Sequence, residues 1–442
     1  MNIASTGRGG PPGGGGDGDG DGDEEEGRAG EGAGHIWKGD LAAGGQVGLY
    51  VHFPFCGVHC PYCDFAVEAR ADIPHDAYAD AVIAEIEVRA PLFQRRAGEA
   101  AGAPPELVSV YFGGGTPGLW RPDAMARVLA AAGAAFAGGG AGGPATREVT
   151  VEANPGEMDQ AAFAALRALG VNRVSLGLQS LDDRLLRAIG RNHDAAAGPA
   201  AVRAARAAGI DNLSVDVMFG LPGQSLDDWR RTVDGVVALR PEHVSAYALT
   251  IERGTPFGAR ARKGELIVPE DEQTAAMQEW GRDALAAAGF TQYEVSSHAQ
   301  PGRRAVHNTL YWTGAPYLGV GASAASFRPL ADGSGWRFSN PRSTATYLRA
   351  CAAGGGSPAP AQFEQRNRGD LENEAVWLAL RTTDGLDRAA HARRFGADPV
   401  APRAAVIDLC VARGWLVVDA RAIRPTPAGL LFADEVAGRL WL

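Results

Sequence analysis

The sequence predicts an α/β protein: a partial (β/α)6 barrel of TIM-like construction, followed by a C-terminal α+β domain that is winged-helix-like. From Gly48 onward, short β-branched runs alternate with alanine-rich segments whose apolar residues have helical spacing. Repeated strand–helix units imply a parallel sheet with right-handed crossovers. The chain of 442 residues exceeds the size of one comfortable compact domain, so a second folded unit is expected.

Residues 1–44 are rich in glycine, aspartate and glutamate, and we predict that they form a disordered acidic tail. Such a composition cannot bury enough apolar surface to offset the entropy of ordering the chain. The tail carries much of the net charge of −10, and this acidic balance argues against a nucleic-acid partner. No apolar run reaches the ~18 residues that a membrane span requires, so stable membrane insertion is not expected.

Residues 45–290 are predicted to form the barrel. Its strands are expected in "GLYVHF", "LVSVYFGG", "EVTVEAN", "RVSLGLQS", "LSVDVMFG" and "HVSAYALT". Its helices are expected in "PHDAYADAVIAEIEVRAPLF", "PDAMARVLAAAGAAFA", "DQAAFAALRALG", "AAGPAAVRAARAAG" and "SLDDWRRTVDGVVAL". Polar and glycine residues collect where the strands end, which is the edge at which such barrels place their chemistry.

Two further segments complete the predicted organisation. Residues 291–365 contain the motif "HNTLYW" and, from 340 to 365, a glycine-proline stretch that we interpret as a linker. Residues 366–442 predict helices followed by a two-strand ribbon. The segment "AVIDLCVARGWLVV", which we expect to form the second helix of this unit, places apolar residues where phosphate contacts would need lysines and arginines, and this favours a packing or substrate-covering domain over DNA binding.

Three of the five cysteines, Cys56, Cys60 and Cys63, follow the first strand with the spacing C-x3-C-x2-C. Thiolates suit iron–sulfur clusters and zinc. A structural zinc needs a fourth soft ligand, whereas Cys351 and Cys410 each stand alone. A cluster on three thiolates leaves one iron open for a small molecule, so we favour this interpretation, with zinc as the alternative. The clustered thiols also favour a reducing compartment.

A glycine turn follows the second strand, in "YFGGGTPGLW". Glycines there allow close approach of the backbone to a ligand, although a glycine turn before proline is often only a turn. Successive strand ends and the loops after them supply an acid, an amide, an arginine and a second acid. Together these could recognise ribose, carboxylate and adenine, and singly each is as compatible with a structural hydrogen bond. The four residues are Glu152, Gln179, Arg191 and Asp216.

With these motifs the sequence resembles the radical S-adenosylmethionine superfamily, in its coproporphyrinogen oxidase-like branch. The resemblance covers the chain from about Gly48 to the C-terminus. It implies a 4Fe-4S cluster on the three clustered cysteines, with the amino and carboxylate groups of S-adenosylmethionine on the open iron. It also implies the cofactor contacts, which are Tyr50, Tyr62, Gly114, Gly115, Thr116, Glu152, Gln179, Arg191 and Asp216.

Within that branch the sequence is similar to the haem chaperones of the HemW type. Anaerobic coproporphyrinogen III dehydrogenases carry a further cysteine two positions after the third, where this chain has Phe65. The chaperones share "CPYCDF" and an HNxxYW motif, which here is "HNTLYW". The resemblance implies a protein that binds haem and passes it to haem-requiring partners such as respiratory-chain enzymes. The alternative is a radical enzyme that oxidises coproporphyrinogen III.

His307, in the HNxxYW motif, is a candidate haem ligand because imidazole is a common axial ligand of haem iron. A hydrogen-bonded core histidine is the alternative. The expected compartment is a bacterial cytoplasm, with an organelle as the other option, and a homodimer is a possible assembly. Cys351 and Cys410 are interpreted as small hydrophobic residues on helices.

Overall fold

The computed structural model describes residues 45–94, 105–136 and 146–442. The acidic segment 1–44 lies outside these ranges, so its predicted disorder stays a prediction. Within the described ranges, no helix has both the length and the apolar character needed to cross a membrane.

The largest feature is a sheet of twelve strands, in which the central strands are parallel and the outer ones antiparallel. In chain order the strands are β1 (Gln46–Phe53), β2 (Glu106–Gly114), β3 (Glu148–Ala153), β4 (Arg173–Gln179), β5 (Leu213–Phe219), β6 (His243–Ala248), β7 (Thr291–Gln292), β8 (Ser297–Ala299), β9 (Tyr317–Val320), β10 (Ala325–Pro329), β11 (Gly335–Ser339) and β12 (Gln362–Arg366). Across the sheet the order is β12-β11-β10-β9-β1-β2-β3-β4-β5-β6-β8-β7.

Helices cover the sheet and connect its strands. In chain order they are α1 (His75–Arg89), α2 (Pro122–Phe136), α3 (Gln160–Ala168), α4 (Asp183–Ala188), α5 (Ala197–Ala207), α6 (Leu226–Leu239), α7 (Pro256–Arg262), α8 (Asp271–Ala287), α9 (Val306–Trp312), α10 (Thr344–Ala350), α11 (Arg368–Ala379), α12 (Arg388–Phe395), α13 (Ala404–Ala412), α14 (Pro427–Leu431) and α15 (Ala433–Arg439). The six predicted strands are β1–β6, adjacent and parallel, and the partial barrel is confirmed.

The alternation of side chains along β1 shows how the barrel divides core from cavity. Val47, Leu49 and Val51 are fully buried against the helices. Tyr50 and His52, at the alternate positions, point the other way and line the interior cavity. This period of two is the ordinary pattern of a strand, and it places every second side chain of each barrel strand at the site.

Helix α9 closes the amino end of the barrel. Its first two backbone N–H groups, at Val306 and His307, donate to the carboxylate of Glu148 at 2.8 and 3.0 Å. Leu310 on the same helix packs so closely on Gly48 that a Cβ there would lie 2.7 Å from its Cδ1 atom. The HNxxYW motif therefore forms the floor of the barrel cavity.

The structure differs from the linker predicted for residues 340–365. This segment contains α10, a π-helical turn at Cys351–Gly355 and most of β12. Tyr347 on α10 is fully buried and its hydroxyl donates to Glu85 Oε2 at 2.7 Å, while Asn340 donates to Glu85 Oε1 at 2.8 Å. The segment is thus packed against α1 as part of the main body, because it supplies partners for a buried carboxylate.

The C-terminal unit has its own apolar core and a three-stranded sheet. Its strands are β13 (Leu386–Asp387), β14 (Leu416–Val418) and β15 (Ala422–Pro425), in the order β13-β15-β14. The antiparallel pair β14–β15 is the predicted ribbon. Cys410 is buried in this core and Cys351 in the main core, as expected for small hydrophobic residues.

Candidate functional site

A cavity of about 360 Å³ lies inside the barrel and reaches from the cysteine loop to α9. Every residue predicted as a site residue lines it. These residues are Tyr50, Cys56, Cys60, Tyr62, Cys63, Gly114, Gly115, Thr116, Glu152, Gln179, Arg191, Asp216 and His307. The fold thus brings together residues from five strands, three loops and helix α9 that are distant in sequence.

The three cysteines lie in the loop that follows β1. Their thiols are partly exposed and none is in a disulfide. Burial raises the pKa of Cys56 to about 11 and that of Cys63 to about 12, so both are neutral thiols in the metal-free protein. Metal binding would deprotonate them, since the thiolate is the ligand. The loop is anchored by His52, whose Nε2 atom lies 3.0 Å from the carbonyl oxygen of Ala66.

The positions of the three cysteine thiols bear on whether a zinc ion or a 4Fe-4S cluster fits the loop. Among the described residues, no three His, Cys, Asp or Glu side chains converge on a point where one metal ion could sit. Zinc requires such convergence, with all ligands about 2.0–2.3 Å from a single ion. The cysteines of a 4Fe-4S cluster each bind a different iron and need no common point. Three partly exposed thiols at the mouth of a cavity fit the cluster.

The glycine turn packs directly against the start of the cysteine loop. The backbone N–H of Gly115 donates to the carbonyl of Phe53 at 2.7 Å, and that of Thr116 donates to the carbonyl of Phe55 at 2.8 Å. A Cβ on Gly115 would lie 2.5 Å from the Phe55 oxygen, so no larger residue fits. Gly114 has φ +111°, a conformation that glycine adopts readily.

Glu152 is held at the centre of the cavity wall. Its carboxylate accepts the Tyr111 hydroxyl at 2.7 Å and the N–H of Gly114 at 3.1 Å. Burial raises the pKa of this carboxyl, and the two donors act against that rise. The acid predicted from "TVEANP" therefore orients the glycine turn as well as facing the cavity.

Arg191 connects the cysteine loop with the strand ends. Its NH2 group donates to Asn154 Oδ1 at 2.5 Å and to the carbonyl of Gly177 at 2.9 Å, while its NH1 lies 3.8 Å from Cys60 Sγ. Nearby, Gln179 has φ +64°, an uncommon backbone conformation for a residue other than glycine. The site thus offers carboxylate, amide and guanidinium groups beside the thiols, which suits a polar small molecule.

His307 lies on the floor of the cavity and is only 1% exposed. Its Nδ1 atom is 2.9 Å from Ser109 Oγ and its Nε2 atom is 2.9 Å from the Tyr311 hydroxyl. Burial lowers its pKa to about 3, so the ring is neutral. Both nitrogens are engaged, which is the hydrogen-bonded core arrangement named above as the alternative to haem ligation.

Several cavity residues were not predicted as site residues from the sequence. They include Tyr111 on β2, Arg173 at the start of β4, and Ser245 and Tyr247 on β6. Strand alternation could have found Arg173, because it shares a face with the predicted Gln179, six residues further along β4.

Comparisons with known proteins agree with this fold and site. The sequence profile of the Radical SAM superfamily matches residues 50–236, and that of the HemN C-terminal domain matches residues 368–432. The "Heme chaperone HemW" of Mycobacterium tuberculosis (strain CDC 1551 / Oshkosh) is 35% identical over 400 residues, which is 90% of this chain and 95% of that protein. The protein of that name in Escherichia coli K12 is 35% identical over 64% of this chain and 71% of its own.

Two other similarities bear on the fold. The bovine "Radical S-adenosyl methionine domain-containing protein 1, mitochondrial" is 39% identical over 63% of this chain and 60% of that protein. The structure of E. coli coproporphyrinogen III oxidase (HemN), a radical SAM enzyme, superposes with a TM-score of 0.73 over 90% of both chains, at 22% identity. The HemN likeness shows the fold, and the identity to HemW over nearly the whole chain shows the family. The chain therefore belongs to the HemW family of the radical SAM superfamily.

Proposed function

We propose that this protein is a haem chaperone, which binds haem and a 4Fe-4S cluster with S-adenosylmethionine and delivers the haem to acceptor proteins such as respiratory-chain enzymes. The observation that carries the proposal is the 35% identity to a heme chaperone across 90% of the chain. The cavity supports it, because the whole predicted cofactor set lines one space.

Cys56, Cys60 and Cys63 are the residues that would hold the cluster. When bound, the cluster supplies an electron-transfer centre and one iron with an open position for the amino and carboxylate groups of S-adenosylmethionine. The chain itself shapes the place beside that iron. Gly115 lets the backbone come close, and Arg191 carries a positive charge next to the thiols, where it suits the cofactor carboxylate.

The remaining cofactor contacts belong to the same proposal. Glu152 and Asp216 present carboxylates to the cavity, which suits ribose hydroxyl groups, while Gln179 presents an amide. Tyr50 stacks near Tyr111, with ring centroids 6.1 Å apart, and offers an aromatic wall beside the glycine turn. The other two proposed contacts are Tyr62 and Thr116.

The haem test is a titration of the reconstituted protein, purified anaerobically, followed by the Soret band. We expect saturable binding with a shifted Soret maximum, and no oxidative decarboxylation when coproporphyrinogen III and S-adenosylmethionine are supplied. Turnover of coproporphyrinogen with consumption of S-adenosylmethionine would instead assign the protein to the enzyme alternative. Absence of any Soret change would reject the chaperone function.

The same titration decides the haem ligand. Because both ring nitrogens of His307 are hydrogen-bonded, ligation by this residue requires that one bond be broken. We therefore expect His307→Ala to keep haem affinity, matched against His75→Ala, a half-buried histidine outside the cavity. Loss of the Soret shift in His307→Ala alone would restore the ligand role predicted from the sequence.

Three further parts of the proposal concern setting and partners. The clustered thiols favour a reducing compartment, and we place the protein in the cytoplasm. The net charge of −10 supports the absence of a nucleic-acid partner. A homodimer is the assembly to be tested, by light scattering with and without haem.

A further inference from the structure

Arg173 is a buried arginine for which the described part of the chain supplies no hydrogen-bond or ion-pair partner. It is 2% exposed, and among the described residues no carboxylate oxygen lies within the 4.0 Å of an ion pair. Its Nε atom is fully buried without an acceptor. A buried charge without hydrogen bonds is costly, so such groups are normally paired.

Other buried arginines in the described ranges show the ordinary arrangement. Arg89, 3% exposed, pairs with Glu85 at 2.6 Å and donates to Asn340 Oδ1 at 2.8 Å and to the carbonyl of Pro358 at 2.7 Å. Arg403 donates to the carbonyl of Leu440 at 2.9 Å. The contrast suggests that the partner of Arg173 is a molecule and not a protein group.

The surroundings of Arg173 favour a ligand with acceptor oxygens. Arg173 lines the cavity floor, and its register partner on β3 is Thr150, whose buried hydroxyl also has no hydrogen-bond partner within the described ranges. The nearest acids are engaged elsewhere: Glu148 accepts two backbone N–H groups from α9, and Asp216 accepts the Ser175 hydroxyl at 3.0 Å. The Arg173 guanidinium is thus left to donate into the cavity, and the buried Thr150 hydroxyl stands beside it on the neighbouring strand as a second donor.

We infer that the floor of the cavity is a carboxylate-binding subsite formed by Arg173 and Thr150. A guanidinium binds a carboxylate through two parallel hydrogen bonds, and the adjacent hydroxyl can donate a third. This subsite is distinct from the cofactor position at the cysteine loop. Arg173 and Gln179 stand at opposite ends of β4, roughly 20 Å apart at about 3.3 Å per residue, too far for one carboxylate to serve both.

Two sources could supply the carboxylate: a propionate side chain of haem, or a free small carboxylic acid. Haem as the source rests on the proposed function, whereas a free carboxylic acid as the source does not. The first experiment compares thermal midpoints of the metal-free protein in sodium propionate and in sodium chloride of equal ionic strength. We expect propionate to raise the midpoint of the wild type, and this rise to be absent in Arg173→Gln.

The second arm compares haem with haem dimethyl ester, which lacks free carboxylates, by Soret titration. If haem is the source, the wild type binds haem roughly tenfold or more tighter than the ester, and Arg173→Gln removes the difference. Equal binding of haem and ester, together with a propionate response, identifies a free acid as the source. A wild type that binds no haem rejects the chaperone function and leaves the propionate arm to decide the subsite.

Stability separates a ligand-binding arginine from a structural one. Among the described residues Arg173 has no hydrogen bond or ion pair to lose, only the longer-range attraction of Glu148 and Asp216. Arg173→Gln should therefore lower the thermal midpoint of the ligand-free protein by much less than Arg89→Gln does. Arg89→Gln is the matched control, since it strands a buried carboxylate and should lower the midpoint. Thr150→Val gives a second, milder variant, expected to weaken the propionate response without changing the fold. An Arg173→Gln variant destabilised as much as Arg89→Gln, or one that keeps both carboxylate responses, would overturn the subsite.

Discussion

The three cysteines in the loop after β1 have different surroundings from the other two cysteines of the chain. Cys56, Cys60 and Cys63 line the cavity and are partly exposed, whereas Cys351 and Cys410 are buried in apolar cores. Only the first group can reach an inorganic cluster assembled from solvent. The distinction gives a direct test of the ligand set.

Replacing Cys60 by serine should abolish the 4Fe-4S cluster, because a neutral hydroxyl is a poor substitute for a thiolate on iron. We expect the visible absorbance of the anaerobically reconstituted protein to fall to the apo level, with labile sulfide lost in parallel. Cys351→Ser is the matched control and should retain full iron and sulfide content. An intact cluster spectrum in Cys60→Ser would mean that the ligands are assigned wrongly.

Among helices and strands, α1 and α10 are joined by a buried polar cluster centred on Glu85. Its carboxylate pairs with Arg89 and accepts hydrogen bonds from Tyr347, Asn340 and the N–H of Gly321. The Gly321 turn in turn touches β1, because Tyr78 on α1 bridges the N–H of Ala322 and the carbonyl of His52. This cluster fixes the position of α10 relative to the strand that precedes the cysteine loop.

Tyr347→Phe should destabilise the protein by about 1–3 kcal/mol, since it removes one donor from a buried carboxylate and leaves the ring in place. A lower urea midpoint with an unchanged slope would show this loss. Tyr111→Phe is a poor control, because Tyr111 lines the cavity. The better control is Thr346→Ala, on the exposed side of α10. Its free energy of unfolding is expected to lie within about 0.5 kcal/mol of the wild-type value. An unchanged midpoint for Tyr347→Phe would restore the linker interpretation of this segment.

The linker error shows which parts of the fold the sequence could predict. Strands β1–β6 and their helices follow from local periodicity, and the cysteine triplet is itself a local pattern. Tyr347 acquires its role from Glu85, 262 residues away, and His307 from Ser109, 198 residues away. Such long-range partners leave no local signal. The glycine-proline stretch suggested a linker, but it indicates only the short turn that follows α10.

The same limit applies to strand β9. Its four residues are all buried, and β9 pairs in parallel with β1, so the parallel part of the sheet extends beyond the six predicted strands. A buried run of this length between glycines could be a strand or part of a helix, and only its pairing partner decides. That the candidate site residues line one cavity could be expected from the sequence, because most of them lie in or just after the carboxyl halves of the barrel strands. Their roles stay predictions.

Among the described residues, five histidines are almost entirely buried: His52, His243, His298, His307 and His391. Burial lowers the pKa of His52 and His298 to about 4 and that of His307 to about 3, and lowers those of His243 and His391 as well. In the unfolded chain these rings titrate near 6.5. At a pH between the folded-state pKa and the unfolded-state pKa, the unfolded state binds protons that the folded state does not.

The metal-free protein should therefore lose stability steeply as the pH falls below about 6.5. Each such histidine contributes up to about 1.4 kcal/mol per pH unit, present in full above 6.5 and lost progressively toward pH 4. Glu152 and Glu294, whose pKa burial raises, act in the opposite direction and offset part of this loss. Urea midpoints at pH 7.5 and 5.5 measure the net effect. His298→Phe, away from the barrel cavity, should reduce the difference between the two midpoints, and a variant with the same pH dependence as the wild type would show that His298 does not contribute to it.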